Sequence, residues 1–507
     1  MRSLPFPSPP MPPMRPLPRL LPAVLAVALA ACSMAPTYKR PDAPIPSAYP
    51  NGPAYSTPGA AAPQAGPAAP DLGWRDFFAD PALQQLIAQA LANNRDLRIA
   101  TLNIDEARAL YRIQRAAQFP AITAGAGLVS QRLPSALRAT GQDAHTNAYS
   151  ANVGMTNFEL DVFGRVRSLS QAAQEQYLAT EEARRSVHIS LVAEVANTYL
   201  TLLADRALLK LSQDTLKSQQ DTAEMVQRGK RAGAMAQLDE HRADTQVQTA
   251  QVAVDQFTRQ VAQDENALTL LSGGPLPASV ASAAPLDNQP LLAEFPTGLP
   301  SSLLERRPDV VAAEHQLMAA NANIGAARAA FFPSITLTAA LGVASASLAG
   351  LFSSGMAWLF APQLTLPIFN AGSNQANLDL ANVRRDINVA NYERTIQSAF
   401  REVADSMAAR TTYERQVKAQ ETLIHDTGET KRLAEMRFQN GVDDYFGVFD
   451  AQRQLFAAQQ SLVTYKLASL TSRVTLYKAL GGGWHESGAA AVAAATPAAS
   501  SKALPSK

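Results

Sequence analysis

One thiol and two small groups of charges are the residues of this chain that could do chemistry. Cys32 is the only cysteine among the 507 residues, and it closes the run Leu29-Ala-Ala-Cys32. Arg15 and Arg19 precede an apolar stretch, Leu20 to Ala31, that is too short for a bilayer-spanning helix of roughly 20 residues. A thiol at the end of such a stretch has the setting of a lipobox cysteine, which is acylated. A buried free thiol is the alternative, and both position and neighbours favour the lipid. The histidines (His145, His188, His241, His315, His425 and His485) show neither HExxH nor HxH spacing. With Cys32 acylated, no thiol is left to bind zinc or attack a substrate. No catalytic, cofactor or metal site is expected. Arg228, Lys230 and Arg231 flank a turn at Gly233, and Asp443 and Asp444 sit in a turn with Gly441. Opposite charges at two turns can form ion pairs, so these groups are candidates for a latch.

The elements that must carry these residues are helices and a few strands. Residues 33 to about 70 are rich in Pro, Ala and Gly and predict an extended tether rather than a core. Six prolines before Met14 leave open whether Met1 or Met14 begins the chain. Net charge is +1 with 17% charged residues, and no basic face is visible, so nucleic acid is not an expected partner. No 18-residue apolar run follows the signal segment, so no membrane helix is expected.

Four segments instead alternate apolar with polar or small residues. The first follows Pro120. The second sets Tyr149, Ala151, Val153 and Met155 against Ser150, Asn152, Gly154 and Thr156. The third, after Pro333, sets Ile335, Leu337, Ala339, Leu341 and Val343 against Ser334, Thr336, Thr338, Ala340 and Gly342. The fourth sets Trp358, Phe360, Leu364 and Leu366 against Ala361, Gln363 and Thr365. That alternation suits membrane barrel strands with one face to lipid and one to a lumen; four strands of a soluble sheet are the alternative. Between them run long helical patterns without proline, Arg165 to Gly229 and Ser373 to Asn440. At 1.5 Å per residue the first would be about 98 Å long, far beyond a hydrocarbon core of about 30 Å. Its helix is expected to leave the membrane. Val247, Ala250, Val254, Phe257, Val261, Leu268 and Leu271 keep a heptad rhythm, as do Val448, Ala451, Leu455, Ala458, Leu462 and Tyr465. Those stripes predict coiled-coil seams.

The chain also repeats itself. Arg115, Phe119 and Ile122 match Arg328, Phe332 and Ile335 at an offset of 213. Leu160 and Phe163 match Leu366 and Phe369 at 206, and Gly233, Leu238 and Ala243 match Gly441, Phe446 and Ala451 at 208. A tandem duplication of about 210 residues is expected, much longer than a solenoid period.

Phe158-Glu-Leu-Asp-Val-Phe-Gly-Arg165, Leu304-Glu-Arg-Arg-Pro-Asp309 and Ala330-Phe-Phe-Pro-Ser-Ile335 resemble the TolC-like outer-membrane efflux proteins, the NodT/OprM-like lipoprotein branch in particular. Tyr392 to Asp405 and Ala479-Leu-Gly-Gly-Gly-Trp484 extend the likeness to about residues 70–486. It implies an α+β membrane protein: a trimeric 12-stranded β-barrel, four strands per chain, continued by a coiled-coil periplasmic tunnel. Strand arithmetic agrees. Two chains make eight strands, whose interior fills with side chains, while three make twelve and leave a passage. The expected domains are a signal peptide at 1–31, a lipidated linker at 32–72, one efflux repeat at 73–290, another at 291–486 and a tail at 487–507.

The resemblance further implies a Gram-negative outer membrane, a homotrimer, a periplasmic adaptor and an inner-membrane pump of the resistance-nodulation-division class. Gly233, Ala234, Gly441 and Val442 then fall at adaptor-docking tips. Asp443 and Asp444 fall at the constriction, with Arg228, Lys230 and Arg231 as their expected partners. The function implied is passive export of drugs or other small toxic compounds. A duct for type I protein secretion is the alternative on the same scaffold, and a surface coiled-coil lipoprotein is the non-conducting one.

Overall fold

A computed structural model describes residues 34–55, 68–132, 134, 136, 145–290, 303–353 and 355–487. Cys32, the signal segment and the tail beyond Ser487 lie outside the described residues. The order of elements is α1 (Pro81–Asn93), α2 (Arg95–Ala116), β1 (Ile122–Arg132), β2 (His145–Leu160), α3 (Arg165–Arg231), α4 (Gln237–Ser272), α5 (Pro308–Ala329), β3 (Ser334–Ser345), β4 (Met356–Thr365), α6 (Ser373–Gln439) and α7 (Tyr445–Ala479). Helix, two strands, a 67-residue helix and a returning helix thus occur twice. The chain clusters into two compact units. One gathers the segments up to Lys39, Ala109–Gln174 and Met318–Asp386; the other gathers Arg40–Arg108, Glu175–Leu317 and the chain from Ile387 onward.

The first unit holds one antiparallel sheet in the order β1-β2-β3-β4. Register puts Ala124, Val153, Leu341 and Trp358 side by side across it, and on the other face Gly125, Asn152, Gly342 and Ala357. Apolar residues therefore dominate one face and small or polar ones the other, with Val129 and Leu359 as apolar exceptions on the second face. Along β2 the sequence pattern fails at one place. Strict alternation beyond Met155 would turn Asn157 and Glu159 to the apolar face. A bulge between Met155 and Phe158, with Asn157 at φ 54°, shifts the parity by one. Phe158 pairs with Leu337 and Leu160 with Ile335, so the apolar face continues. Asparagine is among the few side chains that accept a left-handed backbone, and a bulge needs such a residue.

Two glycines let neighbouring strands approach closely. A Cβ on Gly154 would stand 2.3 Å from the Ala339 carbonyl oxygen, and one on Gly342 would stand 2.2 Å from that of Ala151. Both belong to the small-residue face. At the base of the sheet Asp161 caps α3, accepting from the amides of Val166 and Arg167 at 3.0 and 2.8 Å. Arg165 grips Glu159 through Nε and Nη2, and Phe163 stacks on Phe332 at 4.8 Å between centroids.

Packing in the second unit follows the seams. Ala243, Ala250 and Phe257, seven residues apart, are buried on α4; Val448, Ala451 and Ala458 are buried on α7. An 18-residue window of α3 is apolar enough to cross a membrane by composition, yet 61% of it is buried within the fold, so it serves as core. Asp80 caps α1 at the Ala82 amide (2.9 Å) and accepts the Tyr199 hydroxyl at 2.6 Å. Arg307 is heavily engaged. It grips Asp309 with Nε and Nη2 at 2.9 and 2.5 Å, and Nη1 reaches Glu402 and the Ala479 carbonyl, both at 2.9 Å. The last contact satisfies a carbonyl left open at the end of α7.

The described part of the expected tether, residues 34–55, is pinned to the fold, chiefly along α5. Within the first unit Arg328 donates to Met34 O, Asn321 donates to Pro36 O at 2.7 Å, and a Cβ on Gly325 would meet the Ala35 amide nitrogen at 2.7 Å. Within the second, Arg40 forks onto Glu314 at 2.7 and 2.8 Å, and Tyr49 stacks on Phe400 at 5.4 Å. Composition forbids a core for this segment and says nothing about docking on someone else's. We expect Gly325→Val to lift the strap off α5, read as faster proteolysis in the segment from Met34 to Tyr49; an unchanged cleavage pattern would place the hold elsewhere.

Candidate functional site at the helical tips

The two glycine turns are copies of one motif. At the end of α3, Gly233 donates to Lys230 O and Ala234 to Gly229 O, both at 2.9 Å, with Gly233 at φ 75°. At the end of α6, Gly441 donates to Phe438 O and Val442 to Arg437 O, both at 2.9 Å, with Gly441 at φ 70°. This is the Schellman arrangement, in which a left-handed residue lets two amides close the last helical carbonyls. Asp444 then caps α7 at the Phe446 amide (3.1 Å), and Asp239 accepts from the Ala236 amide ahead of α4 (3.3 Å). Below the turns Ala223, Val226, Ala243, Tyr445 and Val448 form one buried cluster, with Met235 and Phe438 against it. The two hairpins are thus joined at their tips, and Arg242 adds a cation–π contact, 5.1 Å above the Phe446 ring.

Charges at the tips pair otherwise than expected. Asp443 accepts from Arg437 Nε and Nη2 at 2.5 and 3.0 Å. Lys230 pairs with Glu240. Arg228 donates to the Glu224 carbonyl at 3.4 Å. No bridge from Asp443 or Asp444 to Arg228, Lys230 or Arg231 forms within the described residues of one chain. The Schellman turn is the cause: it folds Val442 and Asp443 back over the last turn of α6, where Arg437 is nearest. Hydrogen bonding to Arg437 holds the Asp443 carboxyl below the usual carboxylate range, and Lys230 does the same for Glu240. Arg437 gave no signal in the sequence beyond being one arginine among many. A second feature was equally silent. Gln219 of α3 and Gln452 of α7, both buried, bond at 3.3 Å, and Gln452 donates on to Glu435 of α6 at 3.3 Å. A polar ladder thereby crosses the seam beneath the tips. The turn residues Gly233, Ala234, Gly441 and Val442 are all exposed, Val442 at 61%.

Helical hairpins ending in exposed, charge-paired turns, together with a four-stranded antiparallel sheet with one apolar face, fit a channel-forming outer-membrane protein. The chain belongs to the outer membrane efflux protein family, whose profile matches residues 86–274 and again 299–482. It is 52% identical over 465 residues to the toluene efflux pump outer membrane protein TtgC of Pseudomonas putida, covering 92% of this chain and 95% of that one. The antibiotic efflux pump outer membrane protein ArpC of Pseudomonas putida matches to the same extent, 52% over 465 residues with coverage of 92% and 95%. Among solved structures, the open state of the Neisseria gonorrhoeae MtrE outer membrane channel superposes with a TM-score of 0.81 at 37% identity, covering 90% of this chain and all of that one. The protein is accordingly an outer-membrane component of an efflux pump, in a family of ducts.

Proposed function

We propose that three copies of the chain close one twelve-stranded barrel and form a passive exit duct for small toxic compounds, with solvents and antibiotics as the substrate class. The observation that carries this is the sheet. β1 and β4 are edge strands of 11 and 10 residues, exposed throughout, in a sheet with one apolar face and one small-residue face. An open strand edge is not tolerated in hydrocarbon, where each unpaired backbone group costs several kcal/mol, so β4 of one copy must pair with β1 of the next. Three copies are the smallest closed set that leaves a passage. The energy comes from an inner-membrane pump of the resistance-nodulation-division class, reached through a periplasmic adaptor that docks on the Gly233–Ala234 and Gly441–Val442 turns. Relatives whose names specify toluene and antibiotics favour small compounds over secreted proteins. Purified protein in a planar bilayer is expected to give discrete conductance steps, and deletion of the gene is expected to raise susceptibility to solvents and antibiotics. A protein that inserts but never conducts would end this reading.

In the closed duct Asp443 and Asp444 line the constriction, and the Arg437 pair keeps Asp443 in place. Replacing Asp443 and Asp444 with alanine is expected to raise resting conductance and sensitise cells to large antibiotics such as vancomycin. Unchanged conductance in a membrane-inserted, trimeric double variant would exclude Asp443 and Asp444 from the constriction. Cys32 is the acylated mature N-terminus, and Ser33 after it carries no inner-membrane retention signal of the Asp type. The pinning of Met34 and Pro36 on α5 supports an anchor held close to the protein. Intact mass of the mature chain is expected to show three acyl chains on Cys32; a chain beginning elsewhere would refute the anchor. Because the barrel also grips the bilayer, Cys32→Ser is expected to retain part of the export.

A further inference from the structure

The α3–α4 hairpin contains an acid facing an acid. Asp264 occupies the seam of α4, seven residues beyond Phe257 and fourteen beyond Ala250, both buried there. Arg206 of α3 and Glu265 of α4, the residues directly after Asp205 and Asp264, are bridged at 2.8 Å, so the two aspartates face each other across the same turn of the hairpin and interact. Oδ2 of Asp264 is buried without a donor, and so is Oε1 of Gln260 one turn earlier on the same face. Arg206, next to Asp205 in the chain, does not relieve the pair. Arg206 is committed to Glu265 at 2.8 Å and to the Val280 carbonyl at 2.7 Å. Lys210, further along α3, pairs with Asp214 at 3.1 Å. The other charge acting on Asp264 is Glu265, again negative, and no residue of another described element contributes one. Two carboxyls in contact with no cation between them can satisfy each other only when one carries a proton.

We propose that Asp205 and Asp264 form a proton-held clasp: one proton shared between them closes the seam of the α3–α4 hairpin, and loss of that proton at neutral to alkaline pH loosens it. This goes beyond the duct reading and does not depend on it, because the clasp lies within one chain. Burial first, and the Asp205 charge second, push the Asp264 carboxyl up to about 7. Burial likewise raises Asp205. An unfolded aspartate releases its proton near pH 3.9. Between about pH 4 and pH 7 the folded chain therefore holds a proton that the unfolded chain has lost. Stability falls as pH rises through that window and is level above it.

The test compares the full-length protein with Asp264→Asn and Asp205→Asn. An asparagine donates to the remaining carboxylate without needing a proton, so it keeps the clasp closed at every pH. Thermal melting from pH 5 to pH 8.5 is expected to show wild type losing ground to Asp264→Asn as pH rises. The gap should widen by a few degrees, given the usual relation of free energy to melting temperature, and stop growing above about pH 7. Infrared titration is expected to show one protonated-carboxyl band in wild type at pH 6 that is missing from either variant. Parallel melting profiles, or a band that survives in both variants, would overturn the clasp. A variant that fails to fold leaves the infrared titration of wild type to decide: no protonated carboxyl near pH 6 would equally refute it.

Discussion

Arg307→Ala is expected to cost about 2–3 kcal/mol, the range for losing hydrogen bonds to charged groups when the carboxylates left behind are partly exposed, and to empty the outer membrane of assembled protein. The guanidinium retains 9% of its exposure and serves Asp309, Glu402 and the Ala479 carbonyl. Burial by itself works against its charge; Asp309 and Glu402 outweigh that and hold the arginine charged. Removing it strands two carboxylates and reopens the end of α7. Lysine should not rescue it, since an ammonium cannot fork onto Asp309 while also reaching Glu402 and Ala479. The quantity to measure is the amount of heat-resistant oligomer in isolated outer membranes. Arg307→Lys at wild-type levels would show that charge alone is enough; Arg307→Ala at wild-type levels would show that the network is dispensable.

Leu341→Arg is expected to destabilise the inserted protein by about 2–4 kcal/mol if the apolar face meets lipid, as an arginine does at the midplane of a barrel's outer wall. Leu341 is 53% exposed between Val153 and Trp358, which are also exposed on that face. Gln363→Arg, on the small-residue face of β4, is expected to be tolerated, because there the new charge has water. Oligomer yield and resistance to urea extraction from membranes separate the two. Equal behaviour would mean that the faces are misassigned, and with them the barrel.

Much of this protein is settled by local sequence. Pro120 and Pro333 end helices because a proline has no amide to donate, and the period changes from helical to alternating directly after each. Gly233 and Gly441 end the 67-residue helices because a left-handed backbone is needed there. The seams on α4 and α7 are legible because Ala250 and Phe257, and Ala451 and Ala458, recur at heptad spacing. Such signals are visible along the chain because each depends on residues within a turn or two of one another.

What depends on distant neighbours was decided by the tertiary structure. The parity of β2 past Met155 rests on a bulge that shows only against β3. Asp443 finds Arg437 rather than the basic cluster of the other tip because the turn geometry, not the sign of the charge, sets which cation is nearest. The tether lies on α5 because Gly325 leaves room for the Ala35 backbone, a fit between residues 290 positions apart. Asp264 reads as one more solvated acid on a helix until the fold sets Asp205 against it. Charge and polarity say what a side chain can do, and only the packed neighbours determine whether it meets water, a counter-ion or its own kind.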